Sequence, residues 1–454
     1  MKNSFQFDAF EKKVLDDLVK HHAKLYIVGG AIRDLILFNK TNPHDIDIEI
    51  YHLPIDELIK ILSQYGHVRT VGKSFGIVKL DTLPRFDFAL PRIEVKTGHT
   101  HRDFQVSLNP DMDLKEACRR RDFTMNSLMY DYQTHHIYDF FGGIEDLNHH
   151  VIKMIDEKSF QEDPLRILRA AQFASRLEMT VDIQTQQLCK KMIQAGALQH
   201  LSHERIVSEY NKLLMSNKPS IGLKFLLKIN GLFKPLMVLK DCHQRLDYHP
   251  EDDVMSHTLL VVDLAALCKH HTSYPLGFMW GALLHDIGKP LVTTPDGRAP
   301  GHNESGVQVF NEYFAGILQN QRLNQYVKTM IYYHMHLMNM ARNHSRDFRF
   351  YQLLKGIDGI MPLEDLVLIS KCDKLGRYDN RPETIKLLDD FIEDKTSRLG
   401  KEALKPVITG KDLLPLGIRG SQFKELLDWA YELQMKGHDK FDIMHLIKEK
   451  LNGR

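Results

Sequence analysis

The length and charge of the chain exclude several classes of protein. It has 454 residues, 43% of them hydrophobic and 26% charged, and 60 Lys and Arg against 59 Asp and Glu give a net charge of +1. At roughly 100–200 residues per domain, this length predicts two to four domains with sizeable cores. The balanced charge excludes a protein that coats nucleic acid through general basicity, although a local basic face is compatible with it.

Features missing from the sequence predict its compartment. Residues 1–17 are charged and lack the apolar core of a signal peptide, and no apolar run of about 18 residues predicts a transmembrane helix. The five cysteines lie far apart without a CxxC pair, which is typical of reduced intracellular thiols. We therefore expect a cytoplasmic protein without a membrane partner.

The first 150 residues alternate between strand and helix patterns. The apolar run 25–28 predicts a strand that ends in a glycine turn, with a helix from Ala31. Strict alternation over 45–50 predicts a half-buried strand. The polar segment 96–113, with Gly and Pro, predicts a flexible loop. Further strands are predicted at 75–80, 85–91 and 137–141.

From about residue 162 onward the pattern is almost wholly helical. We therefore predict an α+β fold in which a mixed-sheet domain precedes all-α regions. The clearest amphipathic helix of the tail lies at 422–435. The predicted domains are 1–150 (mixed sheet), 151–245 (helical), 246–394 (helical and rich in histidine) and 395–454 (helical tail).

Two carboxylates share one face of the predicted strand at 45–50. Residues two apart in a strand point to the same side, so Asp45 and Asp47 face one way while isoleucines bury the other. Adjacent carboxylates repel unless a cation lies between them, and Mg²⁺ prefers such oxygens together with substrate phosphates. The pair is a candidate Mg²⁺ site for phosphoryl or nucleotidyl transfer, with a solvated strand face as the alternative. Asp87, on a later strand, is a candidate third carboxylate.

A glycine pair ahead of this strand opens a predicted helix. Gly29 and Gly30 occupy the turn, and Arg33 lies one turn into the helix. A helix N-terminus offers free N–H groups to phosphate, and glycine lets the backbone approach it closely. An anion site so near a metal site predicts a triphosphate pocket.

Two arginine clusters follow. The run 119–121 leads into an apolar, helix-like stretch ending at Tyr130, so Arg121 is a candidate for bidentate phosphate contact, with a solvated charged run as the alternative.

The second cluster lies at 162–169. Asp163 and Pro164 are typical of a helix start, which places Arg166 and Arg169 on one helix face. An arginine pair beside an aspartate offers both donors and an acceptor to the edge of a base.

Six segments in this order resemble the class II tRNA nucleotidyltransferases, the CCA-adding enzymes. The segments are GGAIRD (29–34), DIDIE (45–49), GKSFGIVKL (72–80), RRRDFTMNSL (119–128), DFFGGIEDL (139–147) and EDPLRILRAAQFA (162–174). The resemblance implies a polymerase β-like palm domain followed by a helical neck, body and tail. It also implies addition of CTP and ATP to tRNA 3′ ends under the guidance of protein side chains rather than a nucleic-acid template.

The resemblance also implies residue roles. Asp45 and Asp47 would hold the catalytic Mg²⁺, while Asp87 is a candidate third catalytic carboxylate from its strand position alone. Asp163 and Arg166 would read the base edge. The full implied nucleotide-binding set is Gly29, Gly30, Arg33, Arg121, Asp122, Asn126, Asp163, Arg166 and Arg169. The loop at 96–113 matches the family's flexible loop, which is linked to the switch from C to A addition.

Histidine is unusually frequent, at 25 residues, and several histidines are clustered. Within 257–373, histidines and aspartates recur in the order His, His-Asp, His, His, Asp. Mixed nitrogen and oxygen donors suit a divalent metal, which can lower the pKa of a bound water. A surface position is the alternative for any one of them, but the set predicts a metal centre.

This order resembles the HD phosphohydrolase superfamily. Lys289 would contact phosphate, and His336 lies so near His334 that spacing does not separate them. The expected metal is Ni²⁺, Mg²⁺ or Mn²⁺. The resemblance implies six ligands, of which His302 and His334 belong to two-metal versions of the site: His257, His285, Asp286, His302, His334 and Asp373.

The combination of both modules resembles the bacterial multifunctional CCA proteins. In that subgroup the HD part carries 2′,3′-cyclic phosphodiesterase, 2′-nucleotidase and phosphatase activities, which serve to repair damaged tRNA ends. The tail at 409–435 instead resembles tails of other nucleotidyltransferases of the class.

The expected partners are the tRNA acceptor arm, ATP and CTP. We predict that the arm follows basic helices at 180–240, where 203–205 and 212–228 are candidates and solvated faces the alternative. The chain is expected to be a monomer or a homodimer. Three alternative functions remain open: a partial enzyme adding only CC or only A, a poly(A) polymerase, and an HD phosphohydrolase with a degenerate nucleotide-binding module.

Overall fold

The protein divides into two compact units. The computed structural model describes residues 4–71, 76–96, 104–245, 250–251, 253–377, 382–418 and 421–452. The first unit comprises Met1–Leu213 and Ile221–Gly231, and the second comprises Leu214–Ser220 and Leu232–Arg454. Among the described helices, none is long and apolar enough to cross a membrane. The predictions made for 72–75 and 97–103 lie outside the described residues.

The first unit holds the strands and the N-terminal helices. The strands are β1 Lys24–Val28, β2 Ile46–Tyr51, β3 Val68–Val71, β4 Ile77–Leu80, β5 Phe86–Ala89, β6 Arg92–Lys96, β7 Phe104–Leu108, β8 Met129–Asp131, β9 Ile137–Tyr138, β10 Val151–Ile152 and β11 Thr180–Val181. The helices are α1 Ala9–Lys20, α2 Gly30–Phe38, α3 Ile55–Leu62, α4 Leu114–Arg119, α5 Gly143–Asn148, α6 Glu157–Glu162, α7 Leu165–Leu177 and α8 Ile183–Gln194. Two further helices, α9 His203–Leu214 and α10 Pro219–Lys228, contribute residues to both units.

A mixed sheet forms the centre of the first unit. Within the described residues its strand order is β3-β4-β5-β2-β1-β8-β9, and only the β2–β5 pair is parallel. In β2 the isoleucines are buried and Asp47 is exposed, as the alternating sequence predicts. The parallel register places Asp47 directly beside Asp87 of β5. The sheet therefore brings two carboxylates from distant parts of the sequence side by side on neighbouring strands.

Three local predictions are wrong. The predicted loop at 96–113 contains β7, which pairs antiparallel with β6, because alternation over 104–108 outweighs the polar flanks. The predicted helix-like stretch ending at Tyr130 contains a 3₁₀ turn at 124–126 and then β8, whose pairing with β1 overrides its local preference. The 151–245 region is not all helix, since β10 and β11 form a short parallel pair.

Helix α5 supports the turn at 124–126. Asp139 caps α5 by accepting from the backbone N–H groups of Gly143 and Ile144 at 2.8 and 2.9 Å. Asp146 accepts from the Thr124 hydroxyl at 2.6 Å. A Cβ added to Gly143 would lie 2.2 Å from the Thr124 carbonyl oxygen. Only glycine therefore fits this close approach.

We expect Gly143→Ala to destabilise the first unit by about 1–3 kcal/mol, because the added methyl group would force the backbone of Thr124 to move. Urea denaturation would measure the change. Gly316→Ala is the matched control, since nothing lies within 4 Å of its added Cβ. Equal effects of the two substitutions would contradict this account of α5.

The second unit is helical. Its elements are α11 Lys234–Met237, α12 Val254–Cys268, α13 Pro275–Leu284, α14 Lys289–Val292, α15 His302–Val309, α16 Ala315–Leu318, α17 Gln321–Tyr333, α18 His336–Arg342, α19 Asp347–Ile357, α20 Leu363–Leu375, α21 Pro382–Leu399, α22 Gly410–Leu413, α23 Ser421–Met435 and α24 Lys440–Asn452. Helix α13 is the centre of this unit, since residues 277–284 are all buried. It ends directly before His285, which carries that side chain into the core. Helix α23 confirms the amphipathic helix predicted at 422–435 and packs with α24 in a separate apolar cluster.

Candidate active sites

A cavity of about 740 Å³ lies in the first unit. It is lined by every predicted nucleotide-binding residue and by Asp45 and Asp47, whereas Asp87 is not among the lining residues. The predicted residues lining it are Gly29, Gly30, Arg33, Asp45, Asp47, Arg121, Asp122, Asn126, Asp163, Arg166 and Arg169. Motifs separated by more than a hundred residues in sequence therefore converge on one cavity.

The carboxylates form the acidic side of the cavity. Asp47 reaches solvent through the cavity, yet the protein packed around it removes part of its hydration. This desolvation, followed by the charge of Asp87, raises the pKa of Asp47, and Arg121 opposes the shift. Asp87 is paired with Lys79, whose Nζ lies 2.7 Å from its Oδ1. Asp87 thus borders the acidic cluster, but its carboxylate forms an ion pair with Lys79 on the neighbouring strand β4.

The glycine turn lies directly against this cluster. Gly29 has a φ of +74°, and an added Cβ would lie 3.4 Å from Asp47 Oδ2 and 3.7 Å from Arg121 Nη1. Helix α2 begins at the next residue, so its free N–H groups lie at the cavity. The turn therefore combines the predicted anion-binding end of a helix with the predicted metal ligands.

A chain of hydrogen bonds connects Arg33, Asn126, Asp122 and Arg169, all of which line the cavity. Arg33 Nη1 donates to Asn126 Oδ1 at 3.0 Å, and Asn126 Nδ2 donates to Asp122 Oδ1 at 2.9 Å. Arg169 donates to the other oxygen of Asp122 through Nε at 2.7 Å and lies 2.6 Å from it through Nη2. Arg33 and Asp122 are almost fully buried, so this network fixes both side chains.

The two residues assigned to base reading are also held in place. The Asp163 carboxylate accepts from the Leu165 backbone N–H at 3.1 Å and pairs with Arg205 Nη2 at 3.0 Å. Arg166 donates to the carbonyl oxygens of Ser159 and Arg120 at 2.8 and 2.6 Å. The planes of both side chains are thereby oriented by the protein.

Sequence reasoning missed several cavity residues. The aromatic ring of Phe173 lies 5.3 Å from the guanidinium carbons of both Arg33 and Arg169. A signal existed, because 166, 169, 173 and 176 recur at helical spacing on one face of α7. The missed lining residues are Ala31, Asp34, Lys40, Pro43, His44, Leu165, Phe173 and Arg176, together with Arg205, which the sequence predicts only for tRNA binding.

We expect Arg169→Met to destabilise the first unit by about 2 kcal/mol, because it leaves the buried Asp122 carboxylate without its ionic partner. Nucleotide addition should fall as well, since Asp122 orients Asn126 and through it Arg33. Chemical denaturation and steady-state kinetics would measure both effects. Arg69→Met removes a similar but exposed pair with Asp81 and should change stability by less than about 0.5 kcal/mol. An equal loss in both variants would contradict the account.

The second site is a buried cluster in the second unit. It brings together all six predicted HD ligands as two triads, in each of which one donor atom per residue lies within 4.8 Å of the others. The triads are His257, His285 and Asp373, and Asp286, His302 and His334.

The Asp286 carboxylate lies between the two triads. Its Oδ2 is 3.2 Å from His285 Nε2 and 3.8 Å from His257 Nε2. Its Oδ1 is 3.4 Å from His302 Nε2 and 3.6 Å from His334 Nε2. One side chain is therefore positioned to interact with donors of both triads.

The backbone sets the tautomer of each histidine. In all four, Nδ1 lies 2.8 Å from a backbone carbonyl oxygen, namely that of Gly376, Ala282, Ala299 or Ile331 for His257, His285, His302 and His334. Because a carbonyl oxygen only accepts, Nδ1 carries a proton in each histidine, which leaves Nε2 as the nitrogen that would bind a metal. Four Nε2 atoms thus lie in the cluster.

This donor set fits a metal. The Nε2 of His285 is buried without a hydrogen-bond donor, and it faces a carboxylate oxygen, so two acceptors oppose one another as they do around a cation. Burial lowers the pKa of His285 and that of His302, the latter to about 4, which keeps both imidazoles neutral. Burial alone would raise the pKa of Asp286, but the charge of Lys289 holds it well below its ordinary value.

Two lysines border the cluster, and His336 lies outside it. Lys289 Nζ is 2.7 Å from Asp286 Oδ2, and Lys374 Nζ is 2.5 Å from Asp373 Oδ2. The ring of His336 instead packs against Tyr332 and Tyr333, at 5.2 and 4.9 Å between centroids. The structure therefore separates His334 from His336, which spacing alone did not.

Comparison with known proteins identifies the family. Three family models match: Poly A polymerase head domain at residues 25–153, Probable RNA and SrmB- binding site of polymerase A at 178–239, and HD domain at 254–378. A multifunctional CCA protein of Haemophilus ducreyi is 30% identical over 384 residues, which cover 81% of this chain and 90% of that protein. The chain belongs to the multifunctional CCA protein family.

Solved CCA-adding enzymes share the fold of this multifunctional CCA protein family member. The Bacillus stearothermophilus enzyme in complex with CTP has a TM-score of 0.65 at 21% identity and covers 99% of both chains. The Thermotoga maritima enzyme complexed with tRNA has a TM-score of 0.59 at 20% identity, with 97% of this chain and 94% of that one covered. Both likenesses confirm the predicted α+β class with a helical remainder.

Proposed function

We propose that the chain adds CCA to tRNA 3′ ends from CTP and ATP and also hydrolyses phosphate esters at its HD site. The observation that carries the first activity is the single cavity in which Asp45, Asp47, the start of α2 and six arginines meet. The buried cluster of four histidines and two aspartates carries the second. Both activities accord with membership of the multifunctional CCA protein family and with the HD match at 254–378.

The nucleotidyl-transfer site acts mainly by positioning the nucleotide triphosphate for attack by the tRNA 3′-hydroxyl. Asp45 and Asp47 would hold Mg²⁺, whose charge, when bound, offsets that of the triphosphate. The N–H groups at Gly30 and the guanidinium of Arg33 bind and orient the phosphates and sugar. The tRNA 3′-hydroxyl then attacks the α-phosphorus in line, and pyrophosphate leaves.

Base choice is assigned to Asp163 and Arg166. One carboxylate and one guanidinium provide acceptor and donor groups for the edge of a base, and the bonds to Arg205 and to two backbone carbonyls limit their motion. A rigid pair of this kind selects CTP or ATP without a nucleic-acid template.

The extent of addition is tested with three tRNAs that end before C, after C or after CC, each incubated with CTP and ATP separately. We expect CC from CTP on the first tRNA, one C on the second and a single A from ATP on the third. Addition of only CC or only A identifies a partial enzyme, and a long A tail identifies a poly(A) polymerase; either result overturns the proposal. No addition in the presence of hydrolase activity supports a degenerate nucleotide-binding module.

The HD site would hold one or two divalent ions through the two triads, with Ni²⁺, Mg²⁺ or Mn²⁺ as the expected metals. When bound, such an ion lowers the pKa of a water ligand and so supplies a nucleophile. Lys289, whose ammonium lies at the cluster, is placed to bind the phosphate of the substrate. The proposed substrates are tRNA ends that carry a 2′,3′-cyclic or 2′-phosphate.

We expect His334→Ala to lower both the bound metal per chain and the phosphodiesterase rate by about tenfold or more, because it removes one donor of the second triad. His336→Ala is the matched control, two residues away and outside the cluster, and should change neither. Elemental analysis after metal loading measures stoichiometry independently of activity. A larger loss in the His336 variant would reverse the assignment.

The tRNA acceptor arm is proposed to follow the basic helices at 180–240. Within this range Lys212 and Lys218 are exposed but pair with Glu209 and Asp263, and Arg205 lines the nucleotide cavity. Titration of tRNA at several salt concentrations measures how many such charges contact phosphate. We propose a cytoplasmic enzyme that is a monomer or a homodimer, which light scattering would decide.

A further inference from the structure

Two cysteines of the second unit face each other beside the HD cluster. Cys268 is the last residue of α12 and Cys372 lies in α20, and their Sγ atoms are 3.7 Å apart. Cys372 is buried and Cys268 is partly exposed. A disulfide bond is about 2.0 Å long, so the two sulfur atoms must approach by about 1.7 Å for the bond to form.

We propose that Cys268 and Cys372 are a redox modification site that forms a reversible disulfide with a peroxide as oxidant. Among the five cysteines, all of which lie in the described residues, this is the one pair with such a contact. Cysteines in reducing compartments that do form disulfides are usually redox-sensing or catalytic. The location of this pair next to a metal ligand favours sensing.

The chemistry balances in two steps. The partly exposed Cys268 sulfur attacks one oxygen of hydrogen peroxide, the O–O bond breaks, and the products are a sulfenic acid and one water. The Cys372 sulfur then attacks the Cys268 sulfur, the S–S bond forms, and the hydroxyl leaves with the Cys372 proton as a second water. Two thiols are oxidised by two electrons in total, and one peroxide is reduced to two waters.

Cys268 and Cys372 lie on two helices that both supply HD ligands. Helix α12 carries His257 and α20 carries Asp373, and their Nε2 and Oδ1 atoms lie 3.0 Å apart. Cys372 directly precedes Asp373, so movement of Cys372 towards Cys268 turns the backbone that positions this carboxylate. The disulfide therefore lowers HD activity while leaving nucleotide addition unchanged. This second part of the inference rests on the proposed phosphohydrolase function.

The test uses the full-length protein, first reduced and then titrated with hydrogen peroxide after removal of the reductant. Peptide mass spectrometry detects the linked peptides, and both activities are assayed before oxidation, after it and after treatment with dithiothreitol. Cys268→Ser removes the pair at a partly exposed position, and Cys189→Ala controls for loss of a distant thiol. We expect linked peptides in the wild type and the control, with a phosphodiesterase loss of about tenfold that dithiothreitol reverses.

The outcomes separate the possibilities. Absence of the linked peptides in the oxidised wild type overturns the disulfide, and an equal loss of activity in Cys268→Ser overturns its role. If the reduced wild type lacks phosphodiesterase activity, the proposed HD function fails and so does the regulatory role. The linked peptides then still decide whether the disulfide exists.

Discussion

Asp47→Ala is expected to reduce nucleotide addition by at least about 10³-fold, or about 4 kcal/mol of transition-state stabilisation, and to leave phosphodiesterase activity unchanged. Asp47 lies beside Asp87 in parallel register and within contact distance of the glycine turn. Its loss removes one of the two carboxylates assigned to Mg²⁺ and reduces the negative charge that balances Arg121. Substrate binding through the arginines should survive better than turnover, so the fall should appear mainly in kcat.

The matched control is Asp56→Ala, an exposed carboxylate in the first turn of α3, which should retain full activity. Primer extension with labelled CTP measures addition, and thermal unfolding of each variant verifies its fold. The same prediction applies to Asp45→Ala. Retention of more than about one tenth of the wild-type rate by either variant would contradict their role as metal ligands.

Asp286→Asn is expected to abolish phosphohydrolase activity, by at least about 10³-fold, and to leave nucleotide addition unchanged. The Asp286 carboxylate lies between the two triads, with Oδ2 towards His285 and Oδ1 towards His302. The substitution also leaves Lys289 beside a neutral amide, so it changes the charge balance of a buried site. We therefore expect loss of bound metal together with loss of activity.

A second measurement distinguishes a specific loss of the HD site from a general folding defect. Elemental analysis gives metal per chain, while CCA addition by the same preparation reports that the first unit is folded and active. Asp241→Asn, at an exposed position of the second unit, provides the control. If Asp286→Asn retained the wild-type metal content and hydrolysis rate, the HD assignment would be wrong.

The sequence predicted which residues lie together at both sites better than it predicted their surroundings. Asp45, Asp47 and the arginine motifs were recognisable because alternation and helical spacing place side chains on defined faces. By contrast, the β6–β7 hairpin was missed because the polar flanks of 104–108 concealed a short alternating run. Strand pairing depends on partners distant in sequence, which local patterns do not encode.

Because local patterns do not encode long-range packing, two details of the sites also could not be predicted from the sequence. Asp87 was predicted to be a third carboxylate of the cavity, and its register beside Asp47 agrees with that, but its charge is paired with Lys79 on the neighbouring strand. Sequence spacing left His334 and His336 equivalent, whereas the end of α17 directs one into the cluster. Long-range packing decided both cases. The domain boundaries remain predictions, although the two units and the family matches agree with a division into sheet-containing and helical parts.

The central claim, that one chain carries two separate sites acting in sequence on one tRNA end, is tested most directly with a tRNA that lacks CCA and ends in a 2′,3′-cyclic phosphate. Incubated with CTP and ATP, the wild type should remove the phosphate and then add CCA. Asp286→Asn should leave this tRNA blocked but extend it after independent dephosphorylation, and Asp47→Ala should unblock it without extension. Extension of the blocked tRNA by Asp286→Asn at the wild-type rate, or loss of both steps in either folded variant, would contradict the account.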